Sequence, residues 1–141
     1  MHAAGYFASE HNHLSQFGSG IPTVLVAEDS EDTRRVLSLE LQYRGCRVIT
    51  AADGREAVET ALVAHPDLIL MDLNLPLLDG LAATEQIRAH IELDGVPIIA
   101  VTAFDTYGIR EAALTAGCTV YLLKPLDLDE LESVIAGLLF G

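Results

Sequence analysis

Five short apolar runs, at residues 23–28, 46–50, 67–72, 97–102 and 119–123, constrain the fold of this chain more than any other feature. Each has strand length, is rich in aliphatic residues and is bounded by turn signals. Strands continuous in apolar residues are buried on both faces, which requires a parallel sheet covered by helices. Helical patterns occupy the intervals. The segment 54–65 places Ala57, Val58, Ala61 and Leu62 on one face, and the last segment places Leu128, Leu131, Ile135 and Leu138 on one stripe. Gly45 closes the first helical pattern, Asp53-Gly54 opens the second, Pro66 precedes the third strand and Asp94-Gly95 the fourth. Alternation of this kind predicts an α/β fold, a doubly wound (βα)5 unit around a five-stranded parallel sheet. It begins near Pro22. Residues 1–20 have no sustained period and end in Gly-Ser-Gly, so they read as an N-terminal tail or linker ahead of one domain at 21–141. Tyr6, Phe7, Leu14 and Phe17 are the positions through which part of that tail can dock. His2, His11 and His13 read as a solvated tail rather than a metal site.

Charge narrows the function. A net charge of −13 argues against direct nucleic-acid binding, which needs clustered Lys and Arg to neutralise phosphates. Cys46 and Cys118 lie far apart, each at a strand start, and read as buried free thiols. No apolar run is long enough to span a bilayer, and the N-terminus lacks the order of a signal peptide, so the expected location is cytoplasmic with no membrane partner.

Functional groups in open parallel sheets gather at the carboxyl ends of the strands. Here those ends are charged. The first strand runs into Glu28-Asp29, the third closes on Asp72, the fourth ends at Thr102, and the fifth ends at Lys124, the only lysine in the chain. Each residue has an ordinary reading by itself: a helix N-cap at Asp29 or Ser30, a turn residue at Asp72, a β-branched strand residue at Thr102, a snorkelling surface lysine at Lys124. Together they suggest metal-assisted phosphoryl chemistry. Paired carboxylates at a strand end repel unless a cation sits between them, and hard oxygen ligands suit Mg2+. A strand-tip carboxylate can act as a nucleophile towards phosphorus. Lys124 precedes Pro125, and a cis bond there would aim the ammonium into the cleft.

These residues resemble a known family. Val26-Ala27-Glu28-Asp29, Ala52-Asp53-Gly54-Arg55-Glu56-Ala57, Met71-Asp72-Leu73-Asn74-Leu75-Pro76 with Asp79-Gly80, Val101-Thr102-Ala103, Ala116-Gly117 and Lys124-Pro125 are similar to the motifs of bacterial two-component response regulator receivers, of the single-domain, chemotaxis type. The resemblance covers 21–141 and implies a flavodoxin-like strand order, 2-1-3-4-5. It implies that Asp72 is the phosphoacceptor and that Asp29, Asp72 and the Asn74 backbone carbonyl bind Mg2+, with Glu28 acting through water. It implies that Thr102 and Lys124 hold phosphoryl oxygens, and that Thr102 and Tyr121 form a switch reshaping the face of the fourth helix, fifth strand and fifth helix. The implied phosphodonor is a sensor histidine kinase or a histidine phosphotransfer protein, and the only catalysis implied is of the chain's own phosphorylation and dephosphorylation. Departures are modest: Glu28 where Asp is common, Leu75 and Leu78 in place of frequent methionines, and an apolar Cys118-Thr119-Val120.

The output is less constrained by sequence. A stand-alone receiver that signals through protein docking is favoured over a fragment of a longer chain. The last helical segment carries no Arg or Lys, which argues for a monomer or a weak apolar dimer rather than a salt-bridged one. Two rival readings stay open. A phosphorylation-independent docking module needs none of the site residues. A haloacid-dehalogenase-like phosphatase shares the nucleophilic Asp, but needs a second Asp where this chain has Asn74. A flavodoxin-like cofactor binder fits poorly, because Glu28 to Asp32 would repel a flavin phosphate.

Overall fold

A computed structural model describes Leu14 and residues 20–141. In chain order the elements are β1 (Thr23–Ala27), α1 (Glu31–Tyr43), β2 (Arg47–Ala51), α2 (Gly54–Ala64), β3 (Leu68–Asp72), α3 (Gly80–Arg88), a 3-10 turn at Ile91–Leu93, β4 (Ile98–Thr102), α4 (Ile109–Ala116), β5 (Val120–Leu123) and α5 (Leu128–Phe140). The strands form one parallel sheet in the order β2-β1-β3-β4-β5. The α/β class, the doubly wound (βα)5 architecture and the 2-1-3-4-5 order expected from sequence are all present.

The burial of the strands follows their place in the sheet. Every residue of β3 and β4 is buried, as their unbroken apolar runs require. β2 lies at an edge, and its Arg47 and Thr50 are exposed. Helices cover both faces and divide the core in two. One layer joins Ile69, Met71, Ile98 and Ala100 to Ala57, Ala61, Ala83 and Ile87 from α2 and α3. The other joins Val24, Val26, Leu70 and Val101 to Leu37, Leu41, Leu131 and Ile135 from α1 and α5. Leu14 belongs to this second layer. It is fully buried, and its N–H donates to the Arg44 carbonyl at 3.1 Å. Tyr6, Phe7, Phe17 and the three N-terminal histidines lie outside the described residues.

Local sequence sets the helix starts. Ser30, Asp53, Asp79 and Asp127 each sit at an N-cap and accept a backbone N–H from the first turn. Caps of this kind are worth about 1 kcal/mol each. Ser30 rather than Asp29 caps α1, which leaves the Asp29 carboxylate free of that duty. Cys46 and Cys118 are buried and unbridged, as expected. Burial pushes the Cys46 thiol up to about 12.

Candidate functional site

Parallel register brings the charged strand ends to one edge of the sheet. Ala27 pairs with Met71, Asp72 with Val101 and Thr102 with Leu123, so Glu28, Asp29, Asp72, Thr102 and Lys124 all emerge on the same side. The Lys124 ammonium donates to Asp72 Oδ2 at 2.6 Å and to Glu28 Oε1 at 3.1 Å. The second oxygen of each acid is held by backbone. Asn74 N–H donates to Asp72 Oδ1 at 2.8 Å, and Ser30 N–H donates to Glu28 Oε2 at 2.9 Å. Both acids are almost fully buried, whereas Asp29 is exposed. Burial pushes the Glu28 carboxyl up, the Ser30 N–H and the Lys124 ammonium oppose this, and the Asp72 carboxylate adds to it. Partial burial disfavours the Lys124 charge, but the Asp72 and Glu28 carboxylates outweigh it and raise its pKa. Lys124 and Pro125 are joined by a cis peptide bond.

Two glycines shape the loop that carries Asp72. A Cβ on Gly80 would run into the Asp72 carbonyl, with the Leu73 Cα 2.7 Å away. One on Gly54 would run into the Leu78 carbonyl. The first turns of α2 and α3 therefore press directly on the β3–α3 loop, and only glycine permits the approach. Asp53-Gly54 and Asp79-Gly80 supply in each case the cap and the close contact together.

A ligand oxygen from each of Glu28, Asp29 and Asp72 can be chosen so that all three lie within 4.8 Å of one another. That donor set fits Mg2+: all ligands are hard oxygens, and the exposed Asp29 leaves one side open to water. Below the rim, a cavity of about 620 Å3 runs beneath α1 towards Val26, Leu37, Leu70 and Val101. Thr102 is buried at the end of β4, and its Oγ1 accepts the Phe104 N–H at 3.2 Å. Tyr121 is also buried, and its hydroxyl donates to the Phe104 carbonyl at 2.9 Å. The structure thus assembles all the residues singled out from sequence: Glu28, Asp29, Asp72, Asn74, Thr102 and Lys124 at the sheet edge, with Tyr121 one link behind. Sequence reasoning missed the Ser30 N–H as a ligand to Glu28. The small, capping character of Ser30 was the available signal.

Comparison with known proteins decides the family. A family model described as the response regulator receiver domain matches residues 24–136. The chain belongs to this family. As a receiver it is 35% identical over 113 residues to the polar-differentiation response regulator DivK of Brucella ovis, covering 80% of this chain and 92% of that one. A crystal structure of the receiver domain of sensor histidine kinase PA1611 from Pseudomonas aeruginosa, with magnesium in its active-site cleft, superimposes with a TM-score of 0.81. It shares 39% identity and covers 86% of this chain and all of that one (100%). A chain from the co-crystal of the Saccharomyces cerevisiae phosphotransfer protein Ypd1 with the Ssk1 receiver gives a TM-score of 0.78. Its identity is 32%, over 84% of this chain and 89% of that one. The chain spans 25% of the length of one relative, the regulatory protein AtoC of Escherichia coli, and 52% of another, the transcriptional regulatory protein PrrA of Mycobacterium leprae. Receiver domains are signalling modules, and among the described residues no helix is long and apolar enough to cross a membrane.

Proposed function

We propose that this receiver takes a phosphoryl group from phosphohistidine onto Asp72 and signals through the resulting change in its surface. One observation carries the reading: Asp72 is a buried carboxylate paired with the only lysine, beside two further acids that can share a cation with it. Asp29, Asp72 and the Asn74 carbonyl would hold Mg2+. Both Glu28 oxygens already accept hydrogen bonds, which favours contact with the ion through water. Bound Mg2+ supplies charge neutralisation for the equatorial phosphoryl oxygens.

The residues of the chain do the rest. An Asp72 oxygen attacks phosphorus in line. The P–N bond to the donor imidazole breaks, its electron pair stays on nitrogen, and an acyl phosphate remains on Asp72. Lys124 moves from carboxylate to phosphoryl oxygen, so its charge stabilises what it previously neutralised. Thr102 turns its hydroxyl from the Phe104 N–H to a phosphoryl oxygen. Tyr121, whose hydroxyl donates to the Phe104 carbonyl, carries the change towards α4, β5 and α5. The donor is a sensor histidine kinase or a histidine phosphotransfer protein, and catalysis is confined to the chain's own phosphorylation and dephosphorylation. The receiver acts in the cytoplasm as residues 21–141 behind an N-terminal tail, as a monomer or weak apolar dimer.

Intact-mass spectrometry after incubation with acetyl phosphate and Mg2+ tests this. The expected result is one phosphoryl adduct, absent in Asp72→Ala and absent with EDTA. An adduct that survives Asp72→Ala would move the acceptor elsewhere. If the folded, Mg2+-bound protein stays unmodified with both acetyl phosphate and a phosphorylated histidine phosphotransfer protein, the docking-module reading replaces this one.

A further inference from the structure

A chain of contacts leaves the site and ends on Arg110, a residue that no sequence motif marks. Thr102 Oγ1 accepts from Phe104 N–H, and the Phe104 carbonyl accepts from the Tyr121 hydroxyl at 2.9 Å. The Arg110 guanidinium carbon then lies 5.1 Å from the centroid of the Tyr121 ring. Tyr121 is on β5, and Arg110 is in the first turn of α4. The tyrosine is thus gripped at two points, by a carbonyl at its hydroxyl and by a cation over its face.

We propose that Arg110 is a positioning residue: its guanidinium closes over the Tyr121 ring, holds the hydroxyl on the Phe104 carbonyl, and so favours the loop arrangement that accepts a phosphoryl group. A cation within about 6 Å of an aromatic centroid is attracted by the ring quadrupole, and a planar guanidinium can also stack on it. The loop depends on this hold. From Ala103 to Gly108 it is exposed, and Gly108, the N-cap of α4, has a φ of 88° and gives no side-chain cap. Its hydrogen bonds to the body of the domain include the pair at Phe104, one to Thr102 and one from Tyr121. Arg110, in the first turn of α4, completes a frame that links Thr102, Phe104, Tyr121 and α4. Its exposure tunes the effect to be small and reversible, since the guanidinium stays hydrated on its outer side.

The proposal rests on the phosphoacceptor reading, and two readouts separate them. The first is independent of phosphorylation: nitration of each tyrosine by tetranitromethane, followed by peptide mass spectrometry, with exposed Tyr107 as internal standard. Tyr121 should be protected in the unsubstituted protein. Its relative nitration rate should rise roughly two- to fivefold in Arg110→Ala, and Arg110→Lys should restore most of the protection. The second is the affinity for beryllofluoride with Mg2+, followed by 19F NMR, which should weaken by roughly the same factor in Arg110→Ala and recover in Arg110→Lys. An unchanged Tyr121 nitration rate in Arg110→Ala overturns the proposal. So does a raised rate with unchanged beryllofluoride affinity, because Arg110 would then hold the ring without biasing the site. If the unsubstituted protein binds no beryllofluoride, the phosphoacceptor reading fails, and with it the claimed bias on the site. The nitration arm alone then decides whether Arg110 holds Tyr121.

Discussion

Lys124 and Gly80 show how much can rest on single residues. Lys124 bridges two buried carboxylates that would otherwise repel; burial raises the Glu28 pKa against the pull of Lys124, whereas the Asp72 and Glu28 carboxylates raise that of Lys124 against its burial. Gly80 acts from behind. Ordinarily Gly→Ala within a helix stabilises by about 1 kcal/mol. At Gly80 the added methyl would meet the Asp72 carbonyl and the Leu73 Cα, which are backbone atoms and yield little. Overpacking of this kind costs about 1–3 kcal/mol or more, so the sterics prevail. Gly80→Ala is expected to lower the urea midpoint and also to weaken Mg2+ binding, because the backbone that must yield carries Asp72. Urea denaturation and calorimetric Mg2+ titration check the two effects. Unchanged stability and unchanged Mg2+ affinity would refute the close approach.

The elements differ in how much their own sequence specifies. β3 and β4 were legible because a strand buried on both faces must be apolar throughout, and both are. The start of α2 was legible because capping is local: Asp53 sits beside the glycine it precedes. The site was legible for a topological reason. Parallel strands deliver their carboxyl ends to one edge whatever their exact register, so Glu28, Asp72, Thr102 and Lys124 had to meet. What local pattern does not encode is the pairing of distant elements. Arg44 at the end of α1 donates to the Leu128 carbonyl, Asp129 and Glu132 of α5, over 80 residues away, and its own carbonyl accepts the Leu14 N–H. One residue thus joins the N-terminal segment, α1 and α5. The tail's aromatic and aliphatic positions suggested docking, but nothing in their spacing singled out Leu14. Its full burial in the second core layer gives a direct expectation. Leu14→Ala should destabilise the domain by about 2–4 kcal/mol, as for other Leu→Ala changes in a packed core. Urea unfolding is the measurement, with a lower midpoint at unchanged slope. A variant as stable as the parent would mean that Leu14 contributes no core packing.

At the scale of the whole molecule, the chain carries a net charge of −13, and its site concentrates three carboxylates against one ammonium. Diffuse surface charge responds to any salt through screening. A divalent cation held by the site would act through binding instead, and binding to the folded state alone stabilises by mass action. The two contributions separate experimentally. At a Mg2+ concentration about a hundredfold above its dissociation constant, the gain is about 2.7 kcal/mol, or on the order of 10 °C in midpoint for a domain of this size. NaCl at matched ionic strength should give only the screening part. Asp29→Asn removes one exposed carboxylate without touching the buried Lys124 pairs, so it should keep the NaCl response and lose most of the Mg2+ increment. Its metal-free form should be no less stable than the parent, since a repulsive charge has gone and Ser30, not Asp29, caps α1. Differential scanning calorimetry with and without each salt resolves the terms. A Mg2+ increment that persists in Asp29→Asn would place the cation away from the sheet edge, and the acid cluster would then be only a repulsive patch held by Lys124.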